Sequence, residues 1–250
     1  MIAPRDPSEN AGGIQVPAGP NPPPWGAFAY SDYRVLWGVL VTVSLVSWMR
    51  ILGTAQWLFD ETGSAALVGF IGVVQLVVQI PALLWGGALA DRRDRKRVMA
   101  LANVATAVTL LGLAILNWQG LLTPSVVYVG IAITAGAQMF ASPARSALVS
   151  MVIPRPRLLL AASTDTASQN AAAIVGPLLF AAIAVHFGLT EVFLCAGLIS
   201  LVSSFLPLLV RVSGVAERQG DEPPASMLAQ TKEGFRFVTS HPLLPGLFLL

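Results

Sequence analysis

Six apolar runs follow one another between residues 34 and 210, and each is long enough to cross a lipid bilayer. They occupy residues 34–59, 66–90, 98–118, 125–152, 158–187 and 189–210. Runs of this length are too uniformly apolar for the helices of a soluble bundle. Barrel strands would show alternating segments of about ten residues instead. Composition agrees: 55% of the chain is hydrophobic and only 11% is charged, against about 25% charged in a soluble domain. The natural solvent of this chain is lipid, and the expected fold is an all-α membrane protein with multiple spans. The net charge of +2 is too small and too localised to suggest a nucleic-acid partner.

The loops orient the spans. The hairpins at 60–65, 119–124 and 188 contain no Lys or Arg. The opposite side receives the cluster at 91–97, then Arg155, Arg157, Arg211, Arg218, Lys232 and Arg236. Positive charge marks the cytoplasmic face, so the N-terminus and the segment after the sixth run are expected in the cytoplasm, with the chain in the cell membrane. Residues 1–31 form the leading tail. Its first 26 residues hold seven prolines and no apolar signal-peptide core, and they read as disordered. Residues 211–225 read as a linker, and 226–240 as an amphipathic helix lying on the membrane surface, the two together forming a cytoplasmic loop. From residue 241 a seventh apolar run begins; the sequence stops at Leu250 inside it. The chain therefore reads as cut short.

Charges inside the runs are costly, at least about 2.5 kcal/mol for an arginine on insertion scales. Arg50 shares a helix face with Ser47 and Thr54 and is expected to face a watery cavity or a partner acid. Span four aligns Thr134, Gln138 and Arg145 on one face. Arg145 is near the cytoplasmic end, where gating or ion pairing is expected of it. In span five, Asp165 and Gln169 are one turn apart. Asp165 either binds a coupling proton or pairs with Arg145, Arg155 or Arg157. Gln75 and Gln79 either line the same polar route or bond neighbouring helices. Thr164, Ser168, Ala172 and Gly176 recur every four residues and give span five one smooth face for close helix packing. Cys195, the single cysteine, reads as core packing.

The segment from Gly87 to Arg97 carries a pattern of its own. Gly87 is followed at fixed spacing by Asp91, Arg92, Arg95 and Lys96. This resembles the signature loop of the major facilitator superfamily, with Asp94 where a second glycine is usual. The replacement is familiar in a branch similar to the enterobactin exporters and related secretion effectors. Gly176-Pro177 resembles the helix-bend motif of antiporter-type facilitators. Asp32-Tyr33-Arg34, Glu61-Thr62-Gly63-Ser64, Ser142-Pro143-Ala144-Arg145 and Glu233-Gly234-Phe235-Arg236 resemble further landmarks of that branch. The resemblance covers residues 27–250 and implies the N-terminal half of a twelve-span transporter: two inverted three-helix repeats plus the start of a seventh span. It implies that Gly87, Asp91, Arg92, Arg95 and Lys96 form a conformational latch. It also implies gradient-driven efflux of small organic molecules by alternating access, between this half and a missing C-terminal half. Uptake of a nutrient by symport is the second reading, and a non-transporting truncated membrane protein the third. No enzyme, cofactor or metal site is expected. No His, Cys or carboxylate cluster has metal spacing, and no phosphate-binding glycine loop occurs.

Overall fold

The computed structural model describes residues 26–90 and 94–212, with 81–90 described as backbone only. The leading tail up to residue 25, Asp91 to Arg93, the surface helix expected at 226–240 and the seventh run all lie outside the described residues. Six α-helices fill the rest: α1 (Ser31–Thr62), α2 (Ala65–Ala90), α3 (Arg95–Trp118), α4 (Pro124–Val152), α5 (Leu158–His186) and α6 (Leu189–Phe205). Each coincides with one of the six apolar runs to within a few residues.

Local chemistry sets the helix ends. α1 stops at Gly63, which adopts the left-handed conformation (φ 62°) and returns its N–H to Phe59 O at 2.8 Å. α3 starts at Asp94, whose carboxylate accepts the Lys96 N–H at 3.0 Å. The acid that stands in the usual glycine position is thus an N-cap. α3 ends with Gly120 (φ 67°) and a bond from Leu121 N to Leu116 O at 2.9 Å. Pro124 opens α4, where its missing N–H costs nothing.

The sixth helix is shorter than its apolar run. It gives way after Phe205 to a 3-10 turn over Leu206–Leu209. Pro207 has no N–H with which to bond the Ser203 carbonyl four residues back. The amide of Asn103 on α3 takes that carbonyl instead, at 3.4 Å. At the other end of the chain, α1 is longer than its apolar run and begins at Ser31.

The packing has an internal symmetry. α1 rests on α5 and α6, α4 rests on α2 and α3, and α3 rests on α6. Exchanging α1 with α4, α2 with α5 and α3 with α6 maps these contacts onto themselves. Because α1 and α4 run in opposite directions, the two three-helix units are inverted repeats. Close approach depends on small residues. A Cβ added at Gly176 of α5 would stand 2.6 Å from Cβ of Trp48 on α1. One added at Gly197 of α6 would stand 2.8 Å from Leu111 Cγ on α3. Ser168, two turns before Gly176 on the same stripe, accepts the Trp37 indole N–H at 2.8 Å. The smooth face of span five is the bed for α1.

Two apolar clusters hold the bundle. One gathers Tyr33, Leu36, Met99, Leu148 and Ile153 near the arginine-rich end. The other gathers Met49, Trp57, Leu110, Ile131 and Phe193 nearer the opposite end. The outer surface carries large exposed apolar side chains, among them Leu76, Val77, Leu101, Val108, Ile174, Val185 and Val202. In water such a surface would be an aggregation hazard, and in lipid it is the normal exterior.

The arginine-rich end is fastened by polar contacts. Asp32, 9% exposed, accepts the backbone N–H groups of Arg211 and Val212 at 3.0 and 3.1 Å. Lys96 donates to Val210 O at 2.6 Å. The backbone leaving α6 is therefore held by α1 through an acid and by α3 through a base. Asp32→Ala removes the acceptor of two part-buried backbone donors, and the expected cost is about 1 kcal/mol. Hydrogen exchange should show the Arg211 and Val212 amides opening about tenfold more often; unchanged exchange at both would disprove the clamp.

Candidate functional site

A cavity of about 570 Å³ opens beside the cluster near the arginine-rich end, with Val39 and Met99 of that cluster in its wall. α1 contributes Ser44, Ser47 and Trp48, α3 contributes Asn103, α4 contributes Gln138, Ser142, Arg145 and Ser146, and α5 contributes Gln169 and Asn170. The wall is rich in hydroxyls and carboxamides. Its one charged side chain among the described residues is Arg145. On α1 and α5 these residues sit near the middle of the helix, and on α3 and α4 they sit in the half nearer the arginine-rich end, so the cavity lies between mid-depth and that end. It is large enough for a small organic ligand.

Behind the wall stands a charge pair. Arg145 Nη2 donates to Asp165 Oδ2 at 2.6 Å, with the two side chains 15% and 12% exposed. Tyr33 Oη donates to the other carboxylate oxygen, Oδ1, at 2.9 Å. Tyr33 also reaches Ala161 O at 3.2 Å. Both oxygens of Asp165 are thus engaged, one by a cation on α4 and one by a phenol on α1. This three-helix junction fixes the direction of the Arg145 side chain, which presents its remaining surface to the cavity.

The residues singled out from the sequence divide cleanly. Gln138, Gln169 and Arg145 line the cavity. Asp165 is buried behind Arg145, and the ion partner is Arg145 rather than Arg155 or Arg157. Arg50 is buried at 8% exposure and is not part of the lining, although its helix neighbours Ser47 and Ile51 are. Thr134 turns back to its own helix and donates to Gly130 O at 2.9 Å. Gln75 and Gln79 are half-buried on α2 and lie apart from the cavity wall. Gly176 and Pro177 sit inside α5 at its contact with α1. Gly87 lies in the backbone of α2, while Asp91 and Arg92 fall outside the described residues. Arg95 approaches Met151 Sδ on α4 at 3.0 Å, and Lys96 is the base of the clamp on Val210.

Sequence reading passed over Tyr33, Trp48 and Asn103 as site residues. Tyr33 was legible only as part of the Asp32-Tyr33-Arg34 landmark. Asn103 is the one carboxamide within the first half of an otherwise apolar span, and that isolation was the available signal.

Comparison with known proteins decides the family. The profile of the Major Facilitator Superfamily matches residues 29–250. The chain belongs to this superfamily. Its six helices in two inverted repeats are the facilitator half-fold, and the facilitator chain is a membrane protein. Among its relatives is YfiS, an uncharacterized MFS-type transporter of Bacillus subtilis. It is 25% identical over 207 residues, covering 80% of this chain and 48% of YfiS. Macrolide efflux protein A of Streptococcus pyogenes is 23% identical over 221 residues, covering 87% and 53% of the two chains. The multi-drug resistance efflux pump PmrA of Streptococcus pneumoniae is 30% identical over 192 residues, covering 75% and 45%. This facilitator spans about half the length of the curated relatives it matches.

Proposed function

We propose that the chain forms one half of a secondary transporter that exports small organic molecules by alternating access. The observation that carries this reading is the polar cavity inside an inverted-repeat bundle, reaching from the middle of α1 and α5 towards the arginine-rich end, since facilitator-type transporters hold their substrates between inverted repeats. Relatives named for macrolide efflux and multidrug efflux favour export over uptake. A relative named as a Na⁺, Li⁺, K⁺/H⁺ antiporter favours a proton as the coupling ion. A second half of similar size would close the cavity from the other side, and the six helices alone provide one wall of the route.

In this reading the arginine-rich end is cytoplasmic. Gly87, Asp91, Arg92, Arg95 and Lys96 latch the two halves in the outward-open state. Asp91 would face a helix N-terminus, whose dipole favours an anion. The ion pair with Arg145 makes Asp165 a structural residue first, because its two oxygens tie α5 to α4 and to α1.

The test is transport. Cells lacking their own efflux pumps and expressing the whole reading frame that contains this chain should accumulate less of a fluorescent efflux substrate such as ethidium or a macrolide conjugate. A protonophore should restore accumulation. The Gln138→Leu variant should lose at least about tenfold in efflux rate, since a carboxamide that meets the substrate is replaced by an isobutyl group. Accumulation that is unaffected by expression, for every compound tried and in inverted as well as right-side-out vesicles, would remove the transporter reading. Inward movement in right-side-out vesicles would select uptake.

A further inference from the structure

Arg50 holds a charge that nothing among the described residues neutralises. It lies in the middle third of α1, it is 8% exposed, and its Nη1 is buried with no hydrogen-bond partner among the described residues. The ion pairs among the described residues are Arg97 with Asp94 and Arg145 with Asp165, so no carboxylate reaches Arg50. Nor does the sequence offer another. Asp165 is the one acid well inside a span, and Arg145 and Tyr33 already claim it. Residues 81–90, whose side chains are not described, contain no Asp or Glu. A guanidinium keeps its proton, and burying it unpaired is costly.

The position of Arg50 gives that cost a use. Ser47, nearly one turn earlier, and Ile51, the next residue, both line the cavity, so Arg50 flanks the cavity face of α1. Contact with a ligand there requires the Arg50 side chain, which lies outside the lining, to change rotamer towards the cavity. The cavity itself has no carboxylate among its described lining residues, and its other cation is balanced by Asp165. Its electrostatics therefore favour an anion, and among the described residues its wall offers an ammonium group neutral acceptors but no counter-charge.

We propose that Arg50 is the anion-recognising group of this cavity, and that the ligand is a small organic molecule bearing one carboxylate or sulfonate. The acidic group takes the Arg50 guanidinium. The neutral polar part of the ligand bonds to the carboxamides of Asn103, Gln138 and Gln169. This rests on the cavity being the substrate site of the exporter proposed above, and names the class of compound it takes.

Equilibrium dialysis of the purified product of the whole reading frame that contains this chain, in lipid nanodiscs, against three matched probes tests the assignment. The probes are 2-naphthoate, 2-naphthamide and 2-naphthylmethylammonium. Wild type should bind naphthoate about tenfold or more tightly than naphthamide, the margin expected of a charge-assisted hydrogen bond, and the ammonium probe most weakly. Arg50→Gln should bring naphthoate down to naphthamide while leaving naphthamide within about twofold of wild type. Arg50→Lys should keep part of the preference. A second readout guards against misfolding: without ligand, Arg50→Gln should melt no lower than wild type, since it removes an uncompensated buried charge. Equal binding of naphthoate and naphthamide by wild type, absence of binding by all three, a preference that survives Arg50→Gln, or a lower melting temperature for Arg50→Gln each overturns the proposal. Binding and transport fail separately. A charge preference without efflux sinks the exporter and spares Arg50, and efflux without a charge preference does the reverse.

Discussion

Asp165→Ala should destabilise the bundle by about 3–5 kcal/mol, the largest loss expected of any single polar substitution here. The substitution strands Arg145, whose side chain is only 15% exposed and donates to Asp165 at 2.6 Å. It also takes the carboxylate acceptor from the Tyr33 hydroxyl, leaving it the Ala161 carbonyl at 3.2 Å. Removing both charges should be far milder than removing one. The Asp165→Ala, Arg145→Met double variant is therefore expected to recover most of the loss, and the double-mutant cycle closed by the single Arg145→Met variant should give a coupling of about 2 kcal/mol or more. Tyr33→Phe should cost about 1 kcal/mol, the net worth of one hydrogen bond. Thermal unfolding in detergent, followed by the loss of soluble monomer on size exclusion, measures all four. A single Asp165→Ala variant within about 0.5 kcal/mol of wild type, the range of ordinary surface substitutions, would show that water or lipid screens the pair.

Gly176→Ala is the second large effect. Its new Cβ would lie 2.6 Å from Trp48 Cβ and 3.0 Å from Cγ. Those atoms are the stem of the indole and cannot swing aside, so α1 and α5 must separate. Overpacking of this kind costs about 1–3 kcal/mol. Gly112→Ala is the control: its Cβ meets nothing within 4 Å, and the variant should unfold with wild type. Gly197→Ala should behave like Gly176→Ala, because its Cβ presses on Leu111 Cγ at 2.8 Å and on the Leu111 backbone N at 3.1 Å. Combining Gly176→Ala with Trp48→Ala makes room and should return part of the loss. If Gly176→Ala matched Gly112→Ala in stability, the close contact of α1 and α5 would be wrong.

The six helices were legible because a bilayer demands long apolar runs, and few other signals are so simple. Their ends were less so. The early stop of α6 turned on Pro207, and what made that stop tolerable was a carboxamide on α3, one hundred residues away in sequence from the carbonyl it serves. Asp94 had a local reading that spacing to the missing glycine concealed: an acid immediately before a helix start is an N-cap. Arg145 and Asp165 announced themselves as charges in need of partners, but three cations stood in range along the sequence. Only the placement of α4 and α5 against α1, within reach of one another's side chains, selects among them. Tyr33, Asp32 and Asn103 gave little sign of their roles, since each acts on a backbone or side chain on another helix. Arg50 is the reverse case. Its sequence position called for a cavity or an acid, and the fold places it beside the first and apart from the second.

The clamp on residues 210–212 has a mechanical consequence. Asp32 grips the outgoing strand from one inverted repeat's leading helix, and Lys96 grips it from the helix that follows the basic loop. A pull along the polypeptide beyond Val212 is therefore shared at once by two anchors of opposite sign on different helices. Tension transmitted there would tilt α1 and α3 together as a unit instead of peeling α6 away. The strand then serves as a tow-line to the whole bundle.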